Sequence, residues 1–261
     1  MFYFAQISCS QGVELNKTNL VNYASIWNSI SDPLIIKINA RNIVKIQSNT
    51  FNSFKGLASL YMNNNQLTEL TDPLLFKNLT NLILLEMYGN KLTKLDSSLF
   101  KSLTNLQILN LGGNKLNSFD DPSLFSSLKN LKSLYLGGNQ IMNFHMPTIF
   151  NSLVNLKYLN LTSNELVSLD ASLLLKLTKL ETLELSVNKL GPTLDKSLFS
   201  NQKNLKQLNI NNNKLEMLDA NIFNSCTSLE QVQAWDNPWT NETATQDLCK
   251  KDNCIIYLFN V

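Results

Sequence analysis

The residues of this chain best placed to do chemistry are eight asparagines at nearly fixed spacing, and that chemistry is hydrogen bonding, not catalysis. They are Asn65, Asn90, Asn114, Asn139, Asn164, Asn188, Asn213 and Asn237, at steps of 25, 24, 25, 25, 24, 25 and 24 residues. An asparagine amide both donates and accepts. Just after a strand, where the chain turns, it can satisfy backbone groups that would otherwise be buried unpaired. Identical turns stack, so these asparagines are expected to form a structural ladder. A leucine would fill the space but leave those groups unpaired, at about 1–3 kcal/mol each.

Other reactive groups are sparse. His145 is the only histidine, and there are four cysteines, so no metal site is expected. There is no Gly-rich phosphate loop, no nucleophile elbow and no His-based triad, so the chain does not read as an enzyme and implies no cofactor. Asp120, Asp121 and Asp195 read as solvated turn residues. Cys226 stands where sister units carry Leu79, Leu103, Leu128 or Leu153, and reads as a buried thiol acting as a small hydrophobe. Eight rungs at about 4.8 Å separate the ends by roughly 40 Å, which leaves Cys249–Cys254 as the plausible disulfide. Cys9 is then unpaired or in intermolecular contact with another chain. Asn-x-Ser/Thr sequons at Asn16, Asn78, Asn160 and Asn241 are glycosylation candidates, though so much Asn and Ser/Thr produces them by chance.

The elements that hold these groups are repeats. Leu106, Leu109, Leu111, Asn114 and Leu116 recur as Leu156, Leu159, Leu161, Asn164 and Leu166. A fixed period near 24 implies a solenoid of stacked units. The Leu-x-Leu stretch alternates in and out and reads as a short strand, so stacking gives a parallel sheet. Phe51, Phe76, Phe100, Phe125, Phe150, Phe199 and Phe223 each precede a ladder asparagine by fourteen residues, with Leu174 in the missing place. They are expected to form a buried spine on the convex side, each worth roughly 1.5–3 kcal/mol. Ile36, Ile38 and Ile43 keep the offsets in a degenerate first unit, with Arg41 in the asparagine place. The expected organisation is an N-terminal cap over 1–32, repeats over 33–239 (one degenerate plus eight regular units) and a C-terminal cap or tail over 240–261.

The consensus L-x-x-L-x-L-x-x-N-x-L-x-x-L-(x)-x-x-x-F-x-x-L-x-x resembles the 24-residue "typical" class of leucine-rich repeat. The resemblance implies an α/β horseshoe with the parallel sheet on its concave face and a role in protein or ligand recognition. It also implies kinship with receptor ectodomains, secreted innate-immune proteins and variable lymphocyte receptors, which are mostly extracellular. Asn237-Pro238-Trp239 resembles the start of that family's C-terminal cysteine cap, although Thr240 and Glu242 stand near the places of two cap cysteines. The N-terminal cap of the family carries several cysteines, and here there is Cys9 alone.

Side chains six, four and two residues before each asparagine should point out of the core. They include Tyr61, Glu86, Tyr88, Asn110, Tyr135, Tyr158, Glu184 and Trp235, the candidate partner-binding face. Tyr and Trp offer stiff contact area with a polar tip. Gly112-Gly113 and Gly137-Gly138 are expected to leave a shallow cleft flanked by Tyr88, Tyr135 and Tyr158. The expected partner is a protein or peptide. Net charge is +2 and Arg41 is the only arginine, which argues against nucleic acid. No apolar stretch is long enough to span a bilayer. Met1 to Ile7 reads either as a hydrophobic cap strand or as the remainder of a signal peptide. The expected location is extracellular or cell-surface; the alternative is a cytoplasmic scaffold or adaptor regulating a signalling partner.

Overall fold

A 24- or 25-residue unit cannot bury its apolar face alone, so it must bury it on its neighbours. The computed structural model, which describes residues 12–24, 34–240 and 254–258, stacks the units in chain order. Ten strands form one parallel sheet. They are Leu34–Lys37, Leu57–Tyr61, Leu84–Glu86, Ile108–Asn110, Ser133–Tyr135, Tyr158–Asn160, Thr182–Glu184, Gln207–Asn209, Gln231–Gln233 and Ile255–Tyr257. In the short strands the middle residue is buried and its two neighbours face outward: Leu85, Leu109, Leu134, Leu159, Leu183, Leu208 and Val232 are all inside. Ser133, Tyr158, Thr182 and Gln207 are register partners in line. A slip of one residue would turn every central leucine to solvent, so the pattern fixes the register.

The back of the solenoid is built of turns; the one 3₁₀ helix among the described residues is Ala171–Leu174. Asp72, Asp96, Asp121, Asp170, Asp195 and Asp219 each accept the amide two residues on, at 2.8–2.9 Å. These are Asx turns, which a short carboxylate favours. The serine hydroxyls and amides they meet hold the carboxyls of Asp121, Asp170 and Asp195 below the usual range. Behind the turns lies the phenylalanine spine. Phe51, Phe76, Phe100, Phe125, Phe150 and Phe199 are fully buried, with ring centroids 6.2 Å apart for Phe100–Phe125 and 6.1 Å for Phe125–Phe150. Phe119 and Phe144 stack at 6.0 Å beside it, touching Phe125 and Phe150.

The residue just before each ladder asparagine has positive φ: Asn64, Gly89, Gly113, Gly138, Ser163, Val187, Asn212 and Asp236. Gly and Asn tolerate this region. Val187 does not, since a β-branched side chain there costs about 1–2 kcal/mol.

At each end a strand outside the regular units pairs with the stack. Val13–Leu15 pairs in parallel with Ile43–Ile46. Helix Lys17–Ala24 starts at Asn16, whose Oδ1 accepts from Thr18 and Asn19 amides at 2.9 and 3.0 Å. At the other end Ile255–Tyr257 joins the sheet beside Gln231–Gln233. The sequence places this apolar run in a C-terminal cap or tail and does not mark it as a strand, because it falls outside the repeat offsets. Cys254 is disulfide-bonded. Cys9, Cys249, Asn241 and Met1 to Ile7 lie outside the described residues. Cys226 is buried, its Sγ 3.8 Å from the Phe199 carbonyl oxygen. Among the described residues no helix is long and apolar enough to cross a membrane.

Candidate functional site

The asparagine ladder bonds between units, not only within each turn. Asn114 Oδ1 accepts the Leu92 amide of the preceding unit at 3.0 Å. Its Nδ2 donates back to Met87 O at 3.1 Å and to its own Leu111 O at 2.9 Å. Leu111 O also accepts from Asn139 Nδ2 at 3.0 Å, and Leu136 O accepts from both Asn139 and Asn164. Each of these strand-end carbonyls thus takes two successive asparagines, and Asn65, Asn90, Asn188, Asn213 and Asn237 continue the arrangement. Among the described residues no ladder asparagine follows Asn237. Trp239 Nε1 takes that place on Ala234 O, at 3.0 Å, beside Asn237 Nδ2.

This frame holds the concave face. Its centre brings together Tyr135, Tyr158 and Glu184. The two rings are 5.0 Å apart and tilted by 39°. Burial raises the Tyr158 hydroxyl pKa, against the hydrogen bond from Asn160, with Glu184 and Tyr135 adding to the rise. Burial also raises the Glu184 carboxyl, opposed by the hydrogen bond to Asn209. A second cluster lies on preceding rungs. Glu86 accepts from Asn110 Nδ2 at 2.8 Å and from Asn63 Nδ2 at 3.5 Å. Asn110 Oδ1 in turn accepts the Gly112 amide at 2.9 Å, so Asn110 positions Glu86 and is itself spent. Tyr61 lies under Lys37, whose Nζ is 5.2 Å from the ring centroid. Tyr61 and Trp235 are seven strands apart, roughly 30 Å, so no single small ligand touches both.

Two expectations change. The glycine pairs do not leave an open cleft. The Tyr88 ring lies over Gly112-Gly113, so closely that a Cβ on Gly113 would sit 2.9 Å from Tyr88 Cε2. The Asn160 side chain covers Gly137 in the same way. The surface is therefore an aromatic and amide pavement, with Tyr88 half exposed on top of it. The positions two before each asparagine are also not uniformly outward: Ser186 and Asn211 are buried and Gly112 is covered. The backbone has already begun its turn there, which ends the strict alternation.

Sequence reasoning also missed a second amide ladder. Asn81, Asn105, Asn130, Asn155 and Asn204 lie nine residues before a ladder asparagine, with Gly56, Lys179 and Ser228 in the other three places. Their Nδ2 groups donate to Lys55, Thr80, Thr104, Lys129 and Thr178 carbonyls of the preceding unit, at 2.8–3.1 Å. The signal was the same 24- to 25-residue step, each asparagine standing directly before the first consensus leucine of its unit (Leu82, Leu106, Leu131, Leu156 and Leu205), and it was hidden because these asparagines are mostly exposed. Of the sequons, Asn78 Nδ2 donates to Asn52 O at 3.2 Å, and Asn160 Nδ2 meets Tyr158 Oη at 3.4 Å.

A family model described as "Leucine rich repeat" matches residues 78–141 and 146–190. No curated protein matches the chain. Among solved structures, the TLR13–ssRNA13 complex matches at 26% identity and a TM-score of 0.74, over 80% of this chain and 29% of that one. The Toll–Spatzle complex of Drosophila, in its glycosylated form, matches at 23% identity and a TM-score of 0.63, over 78% of this chain and 30% of that one. The chain therefore spans under a third of the length of these relatives.

Proposed function

We propose, from the premise that the chain is a leucine-rich repeat protein, that it works by recognition: the concave face binds a protein or peptide, outside the cell or at its surface. The observation that carries this reading is the central pavement of Tyr88, Tyr135 and Tyr158, exposed aromatic area held rigid by the asparagine ladder. Stiff tyrosines lose little entropy on contact and serve as interface anchors. Tyr61, Glu86 and Glu184 lie on the same or adjacent strands, Asn110 holds Glu86 in place, and Trp235 extends the face three strands beyond Tyr158. The face carries Lys37, Glu86 and Glu184 as its charges, so shape and apolar contact outweigh electrostatic steering. The Toll and TLR13 likenesses, both to proteins solved with a ligand, support a ligand-binding role.

The test is to pan a displayed peptide library on the immobilised chain and titrate the enriched peptides. Tyr88→Ala, Tyr135→Ala and Tyr158→Ala together should weaken them by about a hundredfold, roughly 1 kcal/mol for each of the three anchors lost. Peptides that bind the triple variant and the unaltered chain alike would overturn the reading.

Location has its own test. The disulfide at Cys254 supports an oxidising compartment, where such bonds persist. Intact mass of natively expressed protein, with and without reduction, should reveal an internal disulfide. A chain whose cysteines are all alkylated without reduction would instead favour the cytoplasmic scaffold.

A further inference from the structure

A groove of about 750 Å³ runs along the flank where the chain enters the strands, away from the concave face. One end is apolar, with Ala58 and the 42% exposed Ile83. The other end is basic, with Lys132, Lys157 and Lys179. No carboxylate lines it. Glu181, beside it, is already held by Lys157 at 2.6 Å and Lys206 at 3.1 Å. Lys132 and Lys179 make no ion pair among the described residues, and Lys179 Nζ rests on the neutral Asn155 Oδ1 at 2.7 Å. On a chain of net charge +2 this is a local concentration of positive charge.

Between the two ends run Asn105 and Asn130 of the second amide ladder. Each Nδ2 gives one N–H to a carbonyl of the preceding unit, which leaves its second N–H and the Oδ1 to a ligand in the groove. We propose that this flank binds an extended acidic segment of a protein partner. Its carboxylates meet Lys132 and Lys179, its backbone N–H groups meet the outward amide oxygens, and an apolar side chain lies on Ile83. A peptide supplies all three. A phosphate or sulfate polyanion brings no apolar group for Ile83, and lysine lacks the planar fork that favours phosphate.

The experiment uses the full chain at physiological salt and a labelled peptide, one leucine followed by alternating glutamate and alanine, read by fluorescence anisotropy. Lys132→Glu with Lys179→Glu should weaken it about tenfold or more, the scale of lost charge complementarity. Ile83→Asp should weaken it as well. Lys115→Glu on the opposite flank and Tyr88→Ala on the concave face should leave it unchanged, which separates this site from the concave one. Circular dichroism verifies that each variant is folded. A peptide that fails to bind the unaltered chain, or binds the double variant equally, overturns the proposal. So does tighter binding by heparin or an oligouridylate than by the peptide, which would make the flank a polyanion site.

Discussion

Phe125→Ala should lower the free energy of unfolding by about 3–5 kcal/mol, the cost of emptying a fully buried aromatic site. Phe125 is the best-connected ring in the spine. It lies 6.2 Å from Phe100, 6.1 Å from Phe150 and 5.8 Å from Phe119. Removing it strips contacts from two neighbouring units at once. In a solenoid each unit is stabilised mainly through its two interfaces, so damage in the middle divides the array. Phe223 provides the comparison. It is slightly exposed at 6% and has one stacking neighbour, Phe199 at 5.6 Å. Phe223→Ala should therefore cost less and fray only the C-terminal end. Urea unfolding followed by circular dichroism gives the difference, and hydrogen exchange gives its location. A Phe125→Ala loss no larger than that of Phe223→Ala would mean the spine is not a continuous support.

The spine was legible because its signal is redundant: seven phenylalanines at one offset leave little room for another fold. The strands of the regular units were legible for the same reason, with a leucine at the centre of each but the last, where Val232 stands. What escaped has a physical cause in each case. Ile255–Tyr257 has strand-favouring residues, yet its place in the sheet is set by the edge that Gln231–Gln233 offers, and no repeat offset marks that. The Gly112-Gly113 cleft was misread because the absence of a side chain was taken for empty space, whereas it is the condition for Tyr88 to lie flat. Asn110 and Asn160 face outward by position, yet both have an Oδ1 occupied by a turn amide. Hydrogen-bond partners of outward polar residues are set by neighbours in space. The repeat period predicts the position of such a residue but not whether its polar atoms are still available to a partner.

The same distinction fixes the size of the second large effect. Asn114→Leu keeps the branching and the number of side-chain heavy atoms and removes the amide, so hydrogen bonding is the main thing lost. Several bonds are lost, yet they are not equivalent. Met87 O keeps its bond from Asn90 and Leu111 O keeps its bond from Asn139. The Leu92 amide has Asn114 as its described acceptor, and it is left buried and unpaired. One orphaned amide plus weakened carbonyls should cost on the order of 3 kcal/mol, well below the full count of broken bonds. The doubled carbonyls thus make the ladder tolerant on its acceptor side and brittle on its donor side. Trp239→Phe tests the other limit. It removes one N–H at the end of the ladder, while Ala234 O keeps Asn237, so the loss should be about 1 kcal/mol. The measurements are the unfolding free energies of both variants and amide exchange at Leu92, which should accelerate in Asn114→Leu and not in Trp239→Phe. If Asn114→Leu costs no more than Trp239→Phe, the asparagines occupy their places for a reason other than satisfying buried backbone.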